Sequence, residues 1–210
     1  MRKMERLLGT AALATGIVVA TAVDSAAQKR VEMETTADEV VTLWDNTTAK
    51  HSNYETKDEV FDGKRVTNTS SADLYIFKAP EEKATGYGIV LVPGGSYRNV
   101  SFSTHYAEWL RDNGVTAAIL KYRLPNYGHN EASYEDAAGA VKYLRENADR
   151  LNVDVRKIGI SGSSAGGHLA AWVSATAKGV ERPDFCSPYL WSNGTKCLLG
   201  RIRCHSETCG

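Results

Sequence analysis

Short apolar runs alternate along the chain with longer segments of helical periodicity. Continuous apolar runs cover residues 87–92 and 115–120, and a shorter one covers residues 158–160. Runs of this length without a polar interruption are typical of strands buried on both faces of a parallel sheet. A β-rich run at residues 72–77, followed by the breaker Pro80, predicts one more strand before them.

The segments between these runs show the helical period. We expect a first helix to be capped by Thr104 and to stop at residues 113–114. A longer helix is expected to open at Ser133, with Asp136 completing a capping box, and a third helix to span residues 165–178. Alternating strands and helices predict an α/β fold with a mostly parallel central sheet and crossover helices.

The first 70 residues lack this alternation. Residues 1–27 have the pattern of a signal peptide, because basic residues precede the uncharged apolar stretch 7–23 and small residues favour cleavage after Ala27. A retained membrane anchor is the alternative, but the stretch is short and rich in Ala and Thr. We therefore expect a periplasmic or secreted protein without a stable membrane anchor. Residues 28–70 are polar and predict an N-terminal extension packed on a domain of residues 71–185.

Composition limits the possible functions. A chain of 210 residues with 42% hydrophobic and 24% charged residues is sufficient for one globular domain and excludes disorder. Lys and Arg together number 25, as do Asp and Glu. Because no excess of basic charge is present, we expect no nucleic-acid partner.

All four cysteines lie near the C-terminus, within residues 186–210. None occurs in the first 185 residues, and the four present are Cys186, Cys197, Cys204 and Cys209. We therefore treat residues 186–210 as a discordant cysteine-rich tail. Disulfides in an exported chain or a zinc site would be functional alternatives, but the spacing does not match paired C-x₂-C ligands, so no metal site is expected.

A candidate nucleophile follows the last predicted strand. Gly162, Ser164 and Gly166 form a G-x-S-x-G pattern between a predicted strand and a predicted helix. A serine on such a sharp turn takes strained backbone angles, and small residues are needed two positions before and after it. A glycine-rich structural or phosphate-binding turn is the alternative, but neither G-x-G-x-x-G nor a Walker lysine is present.

A second glycine-rich loop follows the 87–92 run. Acyl transfer needs two main-chain N–H donors that converge on the developing oxyanion. Gly94 or Gly95 on this loop, together with Ala165 after the candidate nucleophile, can supply them. A plain tight turn is the alternative interpretation of the Gly-Gly pair.

The order of these segments resembles the α/β-hydrolase superfamily, in particular its secreted carbohydrate-esterase-like branch of acetyl-xylan and feruloyl esterases, often grouped as BD-FAE or esterase/lipase domains. The most similar segments are residues 92–97, 122–125, 134–141 and 160–170. Many relatives have a third glycine where this chain has Ser96. The resemblance implies a three-layer α/β-hydrolase fold and serine-dependent hydrolysis of an ester, such as an acetyl group on a sugar or polysaccharide, without a cofactor.

The same resemblance leaves the catalytic acid and base unassigned. In this fold they follow the serine on loops after later strands. Only 46 residues follow Ser164, so the later strands are expected to be missing, through truncation or a frameshift near residue 186. A peptidase of the same superfamily, or an inactive fragment lacking the acid and base, are the alternatives to an exported serine esterase.

The histidines do not supply an obvious base. His51 and His129 are expected at the surface, and His105 is expected to open a helix. His168 lies on the helix of the candidate nucleophile and is expected to point into the domain. His205 comes late enough in the chain, but its surroundings do not resemble the histidine loop of the family.

Overall fold

A computed structural model describes residues 28–189. The predicted signal peptide, His205 and three of the four cysteines lie outside these residues. The strands in chain order are β1 (Glu39–Asp45), β2 (Val60–Phe61), β3 (Arg65–Thr67), β4 (Ser71–Phe77), β5 (Gly86–Val92), β6 (Val100–Ser101), β7 (Thr116–Lys121), β8 (Val153–Ser163) and β9 (Phe185–Tyr189). The helices are α1 (His105–Asp112), α2 (Asn130–Glu146) and α3 (Ala165–Thr176).

Six strands form the central sheet, in the order β1-β4-β7-β5-β8-β9. The pairs β1–β4 and β4–β7 are antiparallel, and β7, β5, β8 and β9 run parallel. A separate small sheet has the order β2-β3-β6. The four predicted strands are thus present, and the sheet is parallel where the candidate site lies.

The chain reverses its direction across the sheet at β5. From β5 it crosses through α1 to β7 on one side, and then returns through α2 to β8 on the other side. Right-handed crossovers in opposite directions place α1 on one face of the sheet and α2 on the other. Helix α3 continues in the direction of α2 and packs beside it. Ligands of open α/β sheets bind at such a reversal, beyond the carboxyl ends of the strands.

Two helix-start predictions need correction. Helix α2 begins at Asn130, so Ser133 lies inside it and does not open it. Ser133 Oγ donates to the carbonyl of Arg123 at 2.6 Å, and Asp136 accepts hydrogen bonds from Arg123 rather than completing a capping box. Thr104 does stand at the N-cap of α1, but its side chain makes no capping hydrogen bond.

The sheet also extends further than the predicted domain at both ends. The segment expected to pack on the domain contributes β1, which pairs with β4 along its length. At the other end, β9 runs beside β8 from Phe185 to Tyr189. Pro188 thus lies within a strand, opposite Gly162 of β8. Edge strands tolerate a proline because one row of their amides has no partner.

A buried ion pair joins the end of β7 to α2. Arg123 and Asp136 are both fully buried, with Arg123 Nη2 2.6 Å from Asp136 Oδ1 and the Arg123 main-chain amide 2.7 Å from Oδ2. The indole Nε1 of Trp44, on β1, donates to the same carboxylate at 2.5 Å. Burial raises the pKa of Asp136, while the hydrogen bonds from Arg123 and Trp44 oppose that rise. This network fixes the segment at 122–125 beneath the candidate site.

Candidate active site

Ser164 occupies the sharp turn between β8 and α3. Its backbone has φ 51° and ψ −119°, a conformation that costs a residue other than glycine about 1–3 kcal/mol. The residue is exposed. Such strain is kept only where the surrounding structure holds it in place, and here the turn sits where β8 ends beside β5.

The two flanking glycines make this turn possible. A β-carbon on Gly162 would overlap the carbonyl oxygen of Gly166, and one on Gly166 would overlap the carbonyl oxygens of Val92 and Pro93. A side chain at Gly162 would therefore open the turn itself, and one at Gly166 would push the turn away from the end of β5. The G-x-S-x-G pattern is thus explained by close main-chain contacts around Ser164.

The loop after β5 lies directly against this turn. A β-carbon on Gly94 would lie 2.8 Å from the carbonyl oxygen of Ser163 and 3.2 Å from the β-carbon of Ser164. The structure therefore brings Gly94 and Ser164, which are 70 positions apart in the sequence, into contact. Only an unsubstituted main chain fits between them.

The main-chain amides near Ser164 differ in whether they already donate to a hydrogen-bond acceptor. The amide of Gly94 donates to Ser163 Oγ at 3.2 Å. Within residues 28–189, the amides of Gly95 and Ala165 have no hydrogen-bond acceptor. The amide of Ala165 is at the first position of α3, where the helix has no internal acceptor and its dipole favours negative charge. In this arrangement Gly95 and Ala165 are the available donors, a distinction that the sequence left open.

Tyr97 connects the loop to α3, a contact that the sequence analysis missed. Its hydroxyl lies 2.8 Å from Nδ1 of His168, one helical turn after Ser164. The ring of Tyr97 also packs edge-on against Tyr122, whose hydroxyl donates to the carbonyl of Pro93 at 3.2 Å. The ring of His168 is exposed, so the expectation that it points into the domain is wrong.

The described histidines do not serve Ser164 as a base. Among residues 28–189, no side chain is hydrogen-bonded to Ser164 Oγ. His105 is exposed, opens α1 as expected and lies against Ser103. His51 is tied through its main chain to Glu135 and Arg123. The ring of His129 lies 4.5 Å from that of Tyr54.

A cavity of about 530 Å³ opens beside the turn, at the carboxyl ends of the parallel strands. Its floor includes Leu91 and Ile119, and its rim includes Pro93 and Ser163. The volume falls in the range of sites for small organic ligands. The lining reaches Gly162 and Ser163, directly before Ser164, so the cavity offers a largely apolar surface next to the turn.

Replacing Tyr97 with phenylalanine tests the burial of its hydroxyl. Burial, and then the neighbouring Tyr134, raise the pKa of Tyr97 to about 12. Because this lies above the ordinary value of about 10, the stability contributed by the neutral phenol is complete below pH 10 and is lost as the pH rises toward 12. We expect the free energy of unfolding to fall less steeply over this range in Tyr97→Phe. Urea unfolding at about pH 9 and pH 11 measures the difference, and equal slopes in both proteins would contradict it.

Two further findings concern the described part of the chain as a whole. None of its helices is both long enough and apolar enough to cross a membrane. Between residues 28 and 189, no group of three or more His, Cys, Asp or Glu side chains is placed to hold a metal ion.

Known proteins similar to this chain include several that are named as ester hydrolases. The acetylxylan esterase of Xylanibacter ruminicola is 34% identical over 108 residues, which cover 50% of this chain and 22% of that protein. The ethyl acetate hydrolase of Pseudomonas putida is 28% identical over 109 residues, which cover 50% of this chain and 34% of that protein. The chain thus spans about a fifth to a third of the length of these relatives.

One solved structure is similar to part of the chain. The acetyl ester-xyloside bifunctional hydrolase of Caldicellulosiruptor lactoaceticus aligns with 70% of this chain and 55% of its own, at 29% identity and a TM-score of 0.49. The profile of the BD-FAE family matches residues 73–190, more than half of the chain, and includes the β5 loop, the Ser164 turn and β9. This chain is therefore a member of the BD-FAE family of α/β-hydrolases.

Proposed function

We propose that the protein is an exported serine hydrolase that removes acetyl or similar acyl groups from carbohydrates. The observation that carries this proposal is the strained backbone of exposed Ser164, held against the β5 loop by the contact of Gly94. A hydroxyl displayed in this way, next to unoccupied amides, is suited to attack on an acyl carbon.

The proposed reaction has two steps. Ser164 Oγ attacks the acyl carbon, its proton passes to a histidine base, and the alcohol leaves with a proton returned by that base. The amides of Ala165 and Gly95 stabilise the negative oxygen of each tetrahedral intermediate. Water then releases the acid from the acyl-enzyme. The base and its carboxylate are not among the side chains that the structure places at Ser164, and no metal or organic cofactor is required.

The choice of substrate rests on the relatives. One curated relative, 34% identical over 108 residues, is named an acetylxylan esterase. Export is supported by the signal-peptide pattern of residues 1–27, since polysaccharides lie outside the cell membrane. The balanced charge supports a neutral ester substrate rather than a nucleic acid.

Covalent labelling tests the role of Ser164. A fluorophosphonate probe reacts with activated serines, so we expect mass spectrometry of the 210-residue chain to place the label on Ser164. Heat-denatured chain, which has lost the turn, is the control and should remain unlabelled. Label distributed over other serines, or no label on the folded chain, would contradict an activated nucleophile at this position.

A further inference from the structure

A second cavity lies on the outer surface between α2 and α3. We call it the α2–α3 groove; its volume is about 490 Å³ and its walls include Trp44, Tyr134 and Trp172. None of these side chains takes part in the reaction proposed above. Their arrangement nevertheless suits a ligand with flat apolar faces.

The aromatic side chains of the groove are held rigidly. The rings of Tyr134 and Trp172 are stacked, with centroids 4.0 Å apart and planes within 5° of each other. Trp172 is still 41% exposed. Trp44 is fixed by its hydrogen bond to Asp136 and by close packing over Gly139 of α2. Rigid aromatic walls lose little conformational entropy when a ligand packs on them.

The charged residues around the aromatic walls nearly cancel. They are Lys50, His51, Glu131, Glu135, Lys142 and Glu181. Glu135 is already paired with buried Arg123 at 3.2 Å, and Lys142 is paired with Glu146 at 2.9 Å. One lysine and two glutamates are left facing the groove. This rim offers both hydrogen-bond donors and acceptors with a single excess negative charge, so it fits a neutral polyhydroxylated molecule better than a multiply charged ion.

The groove lies along the same helix that begins at the turn of the candidate nucleophile. Ser164, His168 and Trp172 follow one another at intervals of four residues, which places them along one side of α3. At 1.5 Å per residue, the helix carries Trp172 about 12 Å from the level of Ser164. Tyr134 of the groove in turn lies near Tyr97 of the β5 loop, whose pKa it raises. A ligand spanning both places must therefore be an oligomer rather than a single sugar.

We propose that the α2–α3 groove binds a neutral oligosaccharide, namely the part of a polysaccharide chain that extends beyond the esterified sugar. Trp172 provides the main stacking surface, and Lys50 and Glu131 bind sugar hydroxyls at the rim. The inference deepens the proposed function, since it names where the carbohydrate portion of that substrate lies. Binding at the groove does not require the chemistry at Ser164.

Calorimetric titration of the full 210-residue chain with xylotetraose tests this site. We expect saturable binding, and we expect Trp172→Ala to weaken it by about tenfold or more, as truncation of a buried aromatic anchor does. Trp172→Phe keeps the stack with Tyr134 and should retain most of the affinity. Trp109→Ala is the matched control, because Trp109 is 57% exposed and stacked on Tyr106, but lies on α1.

Each outcome decides the proposal. Binding that is lost in Trp172→Ala and kept in Trp109→Ala supports it. No binding by the wild-type chain, equal affinity in Trp172→Ala, or binding abolished by moderate salt would overturn it. A dimer that Trp172→Ala dissociates, without sugar binding, would assign the groove to a second copy instead. Xylotetraose binding without label on Ser164 would refute the proposed hydrolysis and leave the groove standing.

Discussion

Replacing Ser164 with alanine is expected to lower kcat/KM for p-nitrophenyl acetate by about a thousandfold or more. Loss of a serine nucleophile from a complete triad costs up to about six orders of magnitude in rate, because the covalent route is removed. The smaller effect expected here allows for a site whose base the described residues do not supply. The remaining hydrolysis would come from the amides of the turn and from the cavity beside it. Release of p-nitrophenolate by the 210-residue chain and its variant measures the effect.

The stabilities of two variants at position 164 distinguish a chemical role of Ser164 from a structural one. Alanine keeps the strained backbone of Ser164, whereas glycine adopts positive φ without cost. Ser164→Gly should therefore be more stable than Ser164→Ala by about 1 kcal/mol or more, while neither shows nucleophilic hydrolysis. Equal rates of hydrolysis in the wild-type chain and Ser164→Ala would show that this chain does not carry out the reaction through Ser164.

Replacing Asp136 with alanine is expected to cost about 3–5 kcal/mol of folding free energy. The change leaves the guanidinium of Arg123 fully buried, with only Glu135 as a neighbouring charge. It also removes the acceptor of the Trp44 indole. Since the total free energy of unfolding of globular domains is about 5–15 kcal/mol, the variant should be close to unfolding. Urea unfolding followed by circular dichroism measures the loss.

An exposed ion pair gives the matched control for this prediction. Lys142 and Glu146 lie one turn apart on the same helix, 2.9 Å from each other, and both are well exposed. Glu146→Ala should change the free energy of unfolding by less than about 0.5 kcal/mol, because water screens such pairs. If Asp136→Ala cost no more than Glu146→Ala, the buried pair would not be what fixes the segment at residues 122–125.

The strands of the parallel sheet were predictable because their signal is local. A strand covered on both faces must be apolar at every position, as residues 87–92 and 115–120 are. The start of α2 was not predictable in the same way. Ser133 and Asp136 form a pattern that satisfies a local rule, but Arg123 takes both side chains as partners. Its main-chain carbonyl accepts from Ser133, and its buried guanidinium donates to Asp136. A long-range contact thus overrode the capping signal.

At the candidate site, too, the local pattern was predictable and the long-range contacts were not. Gly162, Ser164 and Gly166 were recognisable because a sharp turn limits which residues can stand at each position. The contact of Tyr97 with His168 left no sequence signal, since it joins two segments 71 residues apart through a single hydrogen bond. The stacking of Tyr134 on Trp172 is of the same kind, because each residue alone is compatible with an ordinary amphipathic helix.

The sequence by itself determined the α/β alternation, the turn around Ser164 and the resemblance that the BD-FAE profile confirms. Each depends on neighbouring residues, whose steric and hydrophobic demands act locally. Only the tertiary structure decided which amides near Ser164 already have an acceptor, that His168 is exposed and how far the sheet extends past residue 185. These features depend on contacts between segments that the chain reversal at β5 brings together, and no local pattern contains that information.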